Sequence, residues 1–125
     1  METSRRVAII GASNDRRKYG NKAVRAFRAQ GYTVYPINPH ETSIEGLLAY
    51  AKVTDVPGPV EMATMYVPPA IGLTVIDDLA RKGVTKVWFN PGSESAALVA
   101  RAKALGLAPV ETCSIVAIGD SPANY

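Results

Sequence analysis

Cysteine, histidine and long apolar runs are all scarce in this chain of 125 residues. Its one cysteine, Cys113, excludes a disulfide within the chain and fits a reducing compartment, so a cytoplasmic location is expected. A single histidine, that cysteine and scattered acids give no metal-ligand spacing. The same poverty argues against catalysis, which needs a base or nucleophile with an orienting partner. His40 reads instead as an exposed loop residue or a ligand contact, and Asp77-Asp78 as a solvent-facing pair in mid-helix. No run approaches the ~20 apolar residues of a membrane span. Arg5-Arg6 before Val7-Ala8-Ile9-Ile10 imitates the start of a secretion signal, but the apolar run falls short of the roughly 7–15 residues of a signal core. Nothing reads as a linker or a low-complexity segment. The length suits one domain, taken as residues 1–125.

What the chain does have is an uneven charge. Residues 1–28 carry eight Lys/Arg (Arg5, Arg6, Arg16, Arg17, Lys18, Lys22, Arg25, Arg28) against Glu2 and Asp15, a net +6, whereas the remainder carries six against nine, a net −3. This asymmetry suggests that the first part of the chain faces an anion; the plainer alternative is a solvated helix face. Few aromatics accompany the basic cluster, which argues against a nucleic-acid surface.

Punctuation supplies the elements. Ala29-Gln30-Gly31-Tyr32, Arg81-Lys82-Gly83-Val84 and Ala104-Leu105-Gly106-Leu107 each read as a helix stopped by a left-handed glycine and followed by a strand. Ahead of these stops, Val24 and Phe27, then Ile71, Val75 and Leu79, then Leu98, Ala102 and Leu105 recur at helical spacing. Pro69 suits a first helical turn, and Ser93 a helix cap. Between the helices lie apolar runs, Val7–Ile10, Thr33–Ile37, Ala63–Val67 and Lys86–Phe89, and a weaker one, Ala108–Thr112. Continuous rather than alternating, they predict strands buried on both faces, with Trp88 in the core. Ile44, Leu47 and Leu48 suggest a short helix, and Pro57-Gly58-Pro59 breaks any continuation. The expected fold is α/β: a Rossmann-like, doubly wound, mainly parallel five-stranded sheet with helices on both faces.

In such a sheet ligands bind outside the carboxyl ends of the strands. The turns expected there are Gly11-Ala12-Ser13, Asn38-Pro39-His40, Val67-Pro68-Pro69, Asn90-Pro91-Gly92 and Thr112-Cys113-Ser114. The first, with Arg16-Arg17-Lys18 beyond it, has the layout of a strand feeding a loop that holds phosphates by backbone amides. A side chain at Gly11 is expected to block that approach while sparing the fold. The loop departs from the dinucleotide fingerprint, because Ser13 and Arg16 stand where Gly-x-Gly-x-x-Gly needs glycines, and the second strand ends without an acid unless Glu41 serves. An NAD(P)-binding oxidoreductase fragment or redox sensor remains an alternative. No Gly-Lys-Ser/Thr follows Gly11, so the Walker pattern is absent. Cys113 reads as a small buried hydrophobe, or else as a thiol facing the rim. Tyr66 reads as a packing residue.

Taken together, Gly11-Ala12-Ser13, Tyr35-Pro36-Ile37-Asn38-Pro39, Tyr66-Val67-Pro68-Pro69 and Trp88-Phe89-Asn90-Pro91-Gly92 resemble the CoA-binding domain family, small proteins similar to the N-terminal domain of the succinyl-CoA synthetase alpha subunit. The resemblance spans roughly residues 5 to 113. It implies a Rossmann-like domain that binds coenzyme A or an acyl-CoA without catalysis. By position, Gly11, Ala12 and Ser13 would cradle the pyrophosphate, and Arg16, Arg17 or Lys18 would supply counter-charge. Asn38, Pro39 and His40 fall at the adenosine end, His40 standing near the place where the synthetase domain carries a lysine. Tyr66, Val67 and Pro68 match the turn along the adenine and pantetheine, and Asn90, Pro91 and Gly92 the loop near the thiol. The resemblance places the phosphorylated histidine of the synthetase in a second domain, which 125 residues are not expected to include.

Overall fold

Period-two alternation sorts the first strand between two cores. In β1 (Arg6–Ile10), Val7 and Ile9 turn to one face and Ala8 and Ile10 to the other, all buried. A strand covered on both sides has no polar face, which is why the run reads as continuous. The computed structural model describes residues 5–125, so Glu2 of the charge count lies outside the described residues.

After β1 come α1 (Tyr19–Ala29), β2 (Thr33–Ile37) and a small hairpin, β3 (Ser43–Ile44) with β4 (Leu47–Leu48). A 3-10 turn at Val53–Asp55 leads to β5 (Met62–Met65), α2 (Pro69–Lys82), β6 (Lys86–Phe89) and α3 (Ala96–Ala104). The chain closes with β7 (Ala108–Glu111), the short α4 (Ser114–Ala117) and a 3-10 turn at Pro122–Asn124. Five strands form one parallel sheet in the order β2-β1-β5-β6-β7. The expected α/β, Rossmann-like sheet is therefore what the chain forms.

α1 packs with α4 and the last 3-10 turn on one face, over Val7, Ile9 and Trp88. Phe27 of α1 is fully buried there, its ring 5.6 Å from Trp88 and 4.9 Å from Tyr32. Burying such a side chain contributes about 1.5–3 kcal/mol. α2 and α3 cover the other face, over Ala8, Ile10, Ala63, Met65, Val87 and Phe89. The helices stop as expected: Gly31, Gly83 and Gly106 have φ of 88°, 90° and 83°, a region where a Cβ is costly. Pro69 opens α2.

Two local expectations are corrected. Ile44, Leu47 and Leu48 belong to the hairpin, not to a short helix. Its turn residues Glu45 and Gly46 both have positive φ, 51° and 78°, as a type I′ connection requires. Ser95, not Ser93, caps α3, its hydroxyl accepting the Leu98 N–H at 3.1 Å. The Ser93 hydroxyl donates instead to the Asn90 carbonyl, at 2.7 Å.

From β1 the chain crosses first to β2 at one side, then returns past β1 to β5 at the other. The loops leaving β1 and β5 diverge, and a crevice opens between them at the carboxyl ends of the strands.

Candidate functional site

That crevice is a cleft of about 800 Å³, within the size range of small-molecule sites. Its lining comprises Gly11, Ala12 and Ser13 after β1; Lys18, Tyr19 and Gly20 at the start of α1; Asn38; Met65, Tyr66, Val67 and Pro68; Asn90, Pro91, Gly92 and Ser93; Cys113; and Pro122.

Two glycines bring its first wall together. Gly11 has φ +86°, and a Cβ there would lie 2.8 Å from Val67 Cγ1 and 3.0 Å from the Tyr66 carbonyl oxygen. Its own N–H donates to the Ile37 carbonyl at 3.1 Å. Gly11 thus serves the scaffold, and the expectation that a side chain there would spare the fold is corrected: both the backbone angle and the loop leaving β5, at Tyr66 and Val67, oppose it. Gly20, in the first turn of α1, has no room for a Cβ, which would fall 2.2 Å from the Gly11 carbonyl oxygen. The helix start is thereby pressed against the loop. Among the described residues, the amides of Ala12, Ser13, Tyr19 and Gly20 donate to no protein acceptor. Four uncommitted amides beside a helix N-terminus favour an anion, through direct hydrogen bonds and the helix dipole.

Buried Asn21 holds this wall in place. Its Nδ2 donates to the Ser13 carbonyl and to Glu45 Oε2, each at 2.9 Å, while its Oδ1 accepts from Arg25 Nε at 2.7 Å. Asn38 Nδ2 donates to the Ala12 carbonyl at 2.8 Å, and its Oδ1 accepts the His40 N–H at 2.8 Å. Asn38 therefore shapes the loop from β2. Sequence reasoning passed over Asn21 and Gly20, because each looks like an ordinary helix residue until the loop it touches is known.

The basic cluster is mostly spoken for. Arg16 pairs with Glu45 at 3.2 Å, and Arg17 grips Asp15 with two nitrogens, at 3.0 and 2.9 Å. The hydrogen bond from Arg17 holds the Asp15 carboxyl down at about 2. Asn21's hydrogen bond chiefly lowers Glu45. Arg25 and Arg28 donate to the carbonyls of Arg16 and Glu45. Arg5 and Arg6 stand at the opposite end of β1, donating to the carbonyls of Gln30, Pro57 and Pro59. The positive first part of the chain is thus not one anion-facing patch. Among the described residues, Lys18 lines the cleft and enters no ion pair. Arg16, Arg17, Pro39 and exposed His40 lie outside the lining.

The far wall is a buried polar cluster. Asn90 Nδ2 donates to Thr64 Oγ1 at 2.7 Å and to the Met65 carbonyl at 2.8 Å. Its Oδ1 accepts from the Ser114 N–H at 2.8 Å and from Ser114 Oγ at 3.1 Å. With every polar atom engaged, the Asn90 side chain ties β5, the end of β6 and the first residue of α4 together. Tyr66 joins the cluster through Ser114 Oγ at 2.9 Å, and burial pushes its phenol up to about 12. Cys113 is half-buried and belongs to the lining, so the reading of it as a wholly buried hydrophobe is corrected. Tyr19, Met65, Ser93 and Pro122 join the wall without having been foreseen as site residues. No carboxylate lines the cleft among the described residues, and Glu41 Oε1 accepts from Asn14 Nδ2 at 2.9 Å. The ribose-binding acid of the NAD reading is therefore not offered there.

A parallel sheet with an amide-lined cleft at its switch point defines a Rossmann-like α/β protein. The chain belongs to the CoA binding domain family, matched over residues 5–119. It is 37% identical over 84 residues to the alpha subunit of an ADP-forming acetate–CoA ligase II of Pyrococcus furiosus, a match covering 66% of this chain and 18% of that protein. An ADP-forming acetate–CoA ligase of Methanocaldococcus jannaschii is 35% identical over 78 residues, covering 62% of this chain and 11% of that protein. The chain thus spans less than a fifth of the length of these curated relatives and is homologous to one part of a ligase. Among solved structures, a conserved hypothetical protein of Pyrococcus furiosus superposes with a TM-score of 0.84 at 34% identity, covering 90% of this chain and 98% of that one. The dinucleotide-forming acetyl-coenzyme A synthetase 1 of Ca. Korarchaeum cryptofilum, in complex with phosphate and ADP, gives 0.76 at 35% identity, covering 86% of this chain and 25% of that one. No described helix is long and apolar enough to cross a membrane.

Proposed function

We propose that this chain, as one domain, binds coenzyme A or an acyl-CoA and does no chemistry on it. The carrying observation is the set of four uncommitted amides, of Ala12, Ser13, Tyr19 and Gly20, on one wall of the cleft. Coenzyme A brings a diphosphate for those donors, with Lys18 as counter-charge. The bend after β2, which enters the cleft lining through Asn38, borders the adenosine end. Val67 and Pro68 give a rigid apolar wall for the base or the pantetheine arm, and Asn90, Pro91 and Gly92 border the thiol end. The names of the acetate–CoA ligase relatives support the choice of ligand. The absence of catalysis is argued from the lining: its titratable side chains are Lys18, Tyr19, Tyr66 and Cys113, and Tyr66 keeps its proton at neutral pH. Among the described residues, none has a positioned partner base.

Calorimetry with coenzyme A, dephospho-coenzyme A, NAD and NADP tests the reading. Coenzyme A is expected to bind, and the nicotinamide nucleotides much more weakly. Binding of NAD without binding of coenzyme A would overturn it.

A further inference from the structure

The polar cluster behind the cleft allows only one placement of its protons. Six contacts connect Asn90, Thr64, Met65, Ser114 and Tyr66, all between 2.7 and 3.1 Å. The two Nδ2 protons of Asn90 go to the Met65 carbonyl and Thr64 Oγ1. Asn90 Oδ1 carries no proton, so the contact from Ser114 Oγ uses the single hydroxyl proton of Ser114. Thr64 Oγ1 and the Tyr66 hydroxyl must then each donate to Ser114 Oγ, at 2.7 and 2.9 Å. Any other placement leaves two lone pairs facing each other within hydrogen-bond distance. The phenol proton of Tyr66 is therefore spent inside the protein. What Tyr66 has left for a ligand is lone pairs.

We propose that Tyr66 sets the ligand preference of the cleft by accepting a hydrogen bond at its phenol oxygen, so that the site selects a donor on the uncharged arm of its ligand. The inference rests on the coenzyme A reading above. In coenzyme A the donor is either an amide N–H of the pantetheine arm or the terminal S–H. An acyl carbonyl placed at the same point would meet a second acceptor and be disfavoured. Because burial keeps the phenol protonated, this preference holds through the physiological pH range. Tyr66 acts as a specificity residue and takes no part in bond-making.

The test compares wild-type protein and Tyr66→Phe by calorimetry with coenzyme A, S-methyl-coenzyme A and ADP. Tyr66→Phe keeps the ring and removes the acceptor. Coenzyme A is expected to bind the variant roughly three- to tenfold more weakly, the scale of one neutral hydrogen bond, while ADP, which lacks the arm, binds both proteins alike. An equal loss for S-methyl-coenzyme A assigns the donor to the amide. A loss seen with coenzyme A alone, wild type itself binding the methylated form more weakly, assigns it to the thiol. Unchanged coenzyme A affinity in Tyr66→Phe overturns the inference, as does an equal loss for ADP, which would mark general damage to the site. Failure of wild-type protein to bind coenzyme A removes the proposed function itself, a result distinct from both.

Discussion

Replacing Gly20 by alanine sets two effects of opposite sign against each other. Alanine is the better helix former, by at most about 1 kcal/mol and less in a first turn. Against that gain, the new Cβ would lie 2.2 Å from the Gly11 carbonyl oxygen, where Cβ contacts under 3.0 Å essentially never occur. The helix start and the loop must part by close to an ångström. Both are backbone, so no flexible side chain can yield. Overpacking of this kind costs about 1–3 kcal/mol, and the steric effect wins. A net loss of about 1 kcal/mol lowers Tm by roughly 4 °C in a chain of this size. The same displacement pulls the amides of Tyr19 and Gly20 away from those of Ala12 and Ser13, so an anion can no longer meet all four. Hydrogen bonds to charged groups are each worth about 1.5–3 kcal/mol, so coenzyme A affinity is expected to fall at least about tenfold. Urea unfolding and calorimetry read the two effects separately. Gly83→Ala is the control: φ is +90° there and nothing lies within 4 Å, so it should lose stability through its backbone alone and keep its affinity. A Gly20→Ala protein as stable as wild type, with unchanged coenzyme A affinity, would refute the reasoning.

Two further outcomes follow from the charges. Lys18→Gln should weaken coenzyme A binding about tenfold and flatten its salt dependence, whereas Arg17→Gln, whose guanidinium is held by Asp15, should do less; the reverse order in a salt titration would contradict the assignment. Asp15 is lowered from 3.8 to about 2 in the folded protein, and Glu45, Asp77 and Asp120 are also lowered by hydrogen-bond donors. Each binds its proton more weakly folded than unfolded, so its contribution is full above the ordinary carboxylate range and is lost as pH falls through the folded value. The urea midpoint should therefore decline on acidification from about pH 4 towards pH 2, less steeply in Asp15→Asn; a midpoint level down to pH 2 would contradict the pairing.

The sheet and its three longer helices were legible because their signals are local. Continuous runs such as Val7–Ile10 mark strands covered on both sides, and Gly31, Gly83 and Gly106 mark helix ends where only glycine sits easily. The hairpin was not legible: Ile44, Leu47 and Leu48 fit helical spacing equally well, and Glu45-Gly46 is a muted form of the Asn-Gly signal. Eleven of the fifteen residues expected at the site line the cleft, since loops after parallel strands converge on one edge. Arg16 and Arg17 fall outside because their carboxylate partners were invisible to a reading of composition. Gly20 and Asn21 were missed for the same reason. Each matters through a residue eight or nine positions away, Ser13 for one and Gly11 for the other.

Asn21 binds the loop, the hairpin and its own helix at once. A pocket braced in this way is pre-organised: an incoming molecule has little of the wall to freeze, and the entropic cost of association stays low. If coenzyme A is the occupant, the wall that meets its diphosphate needs no ordering on arrival, and association is not slowed by that step.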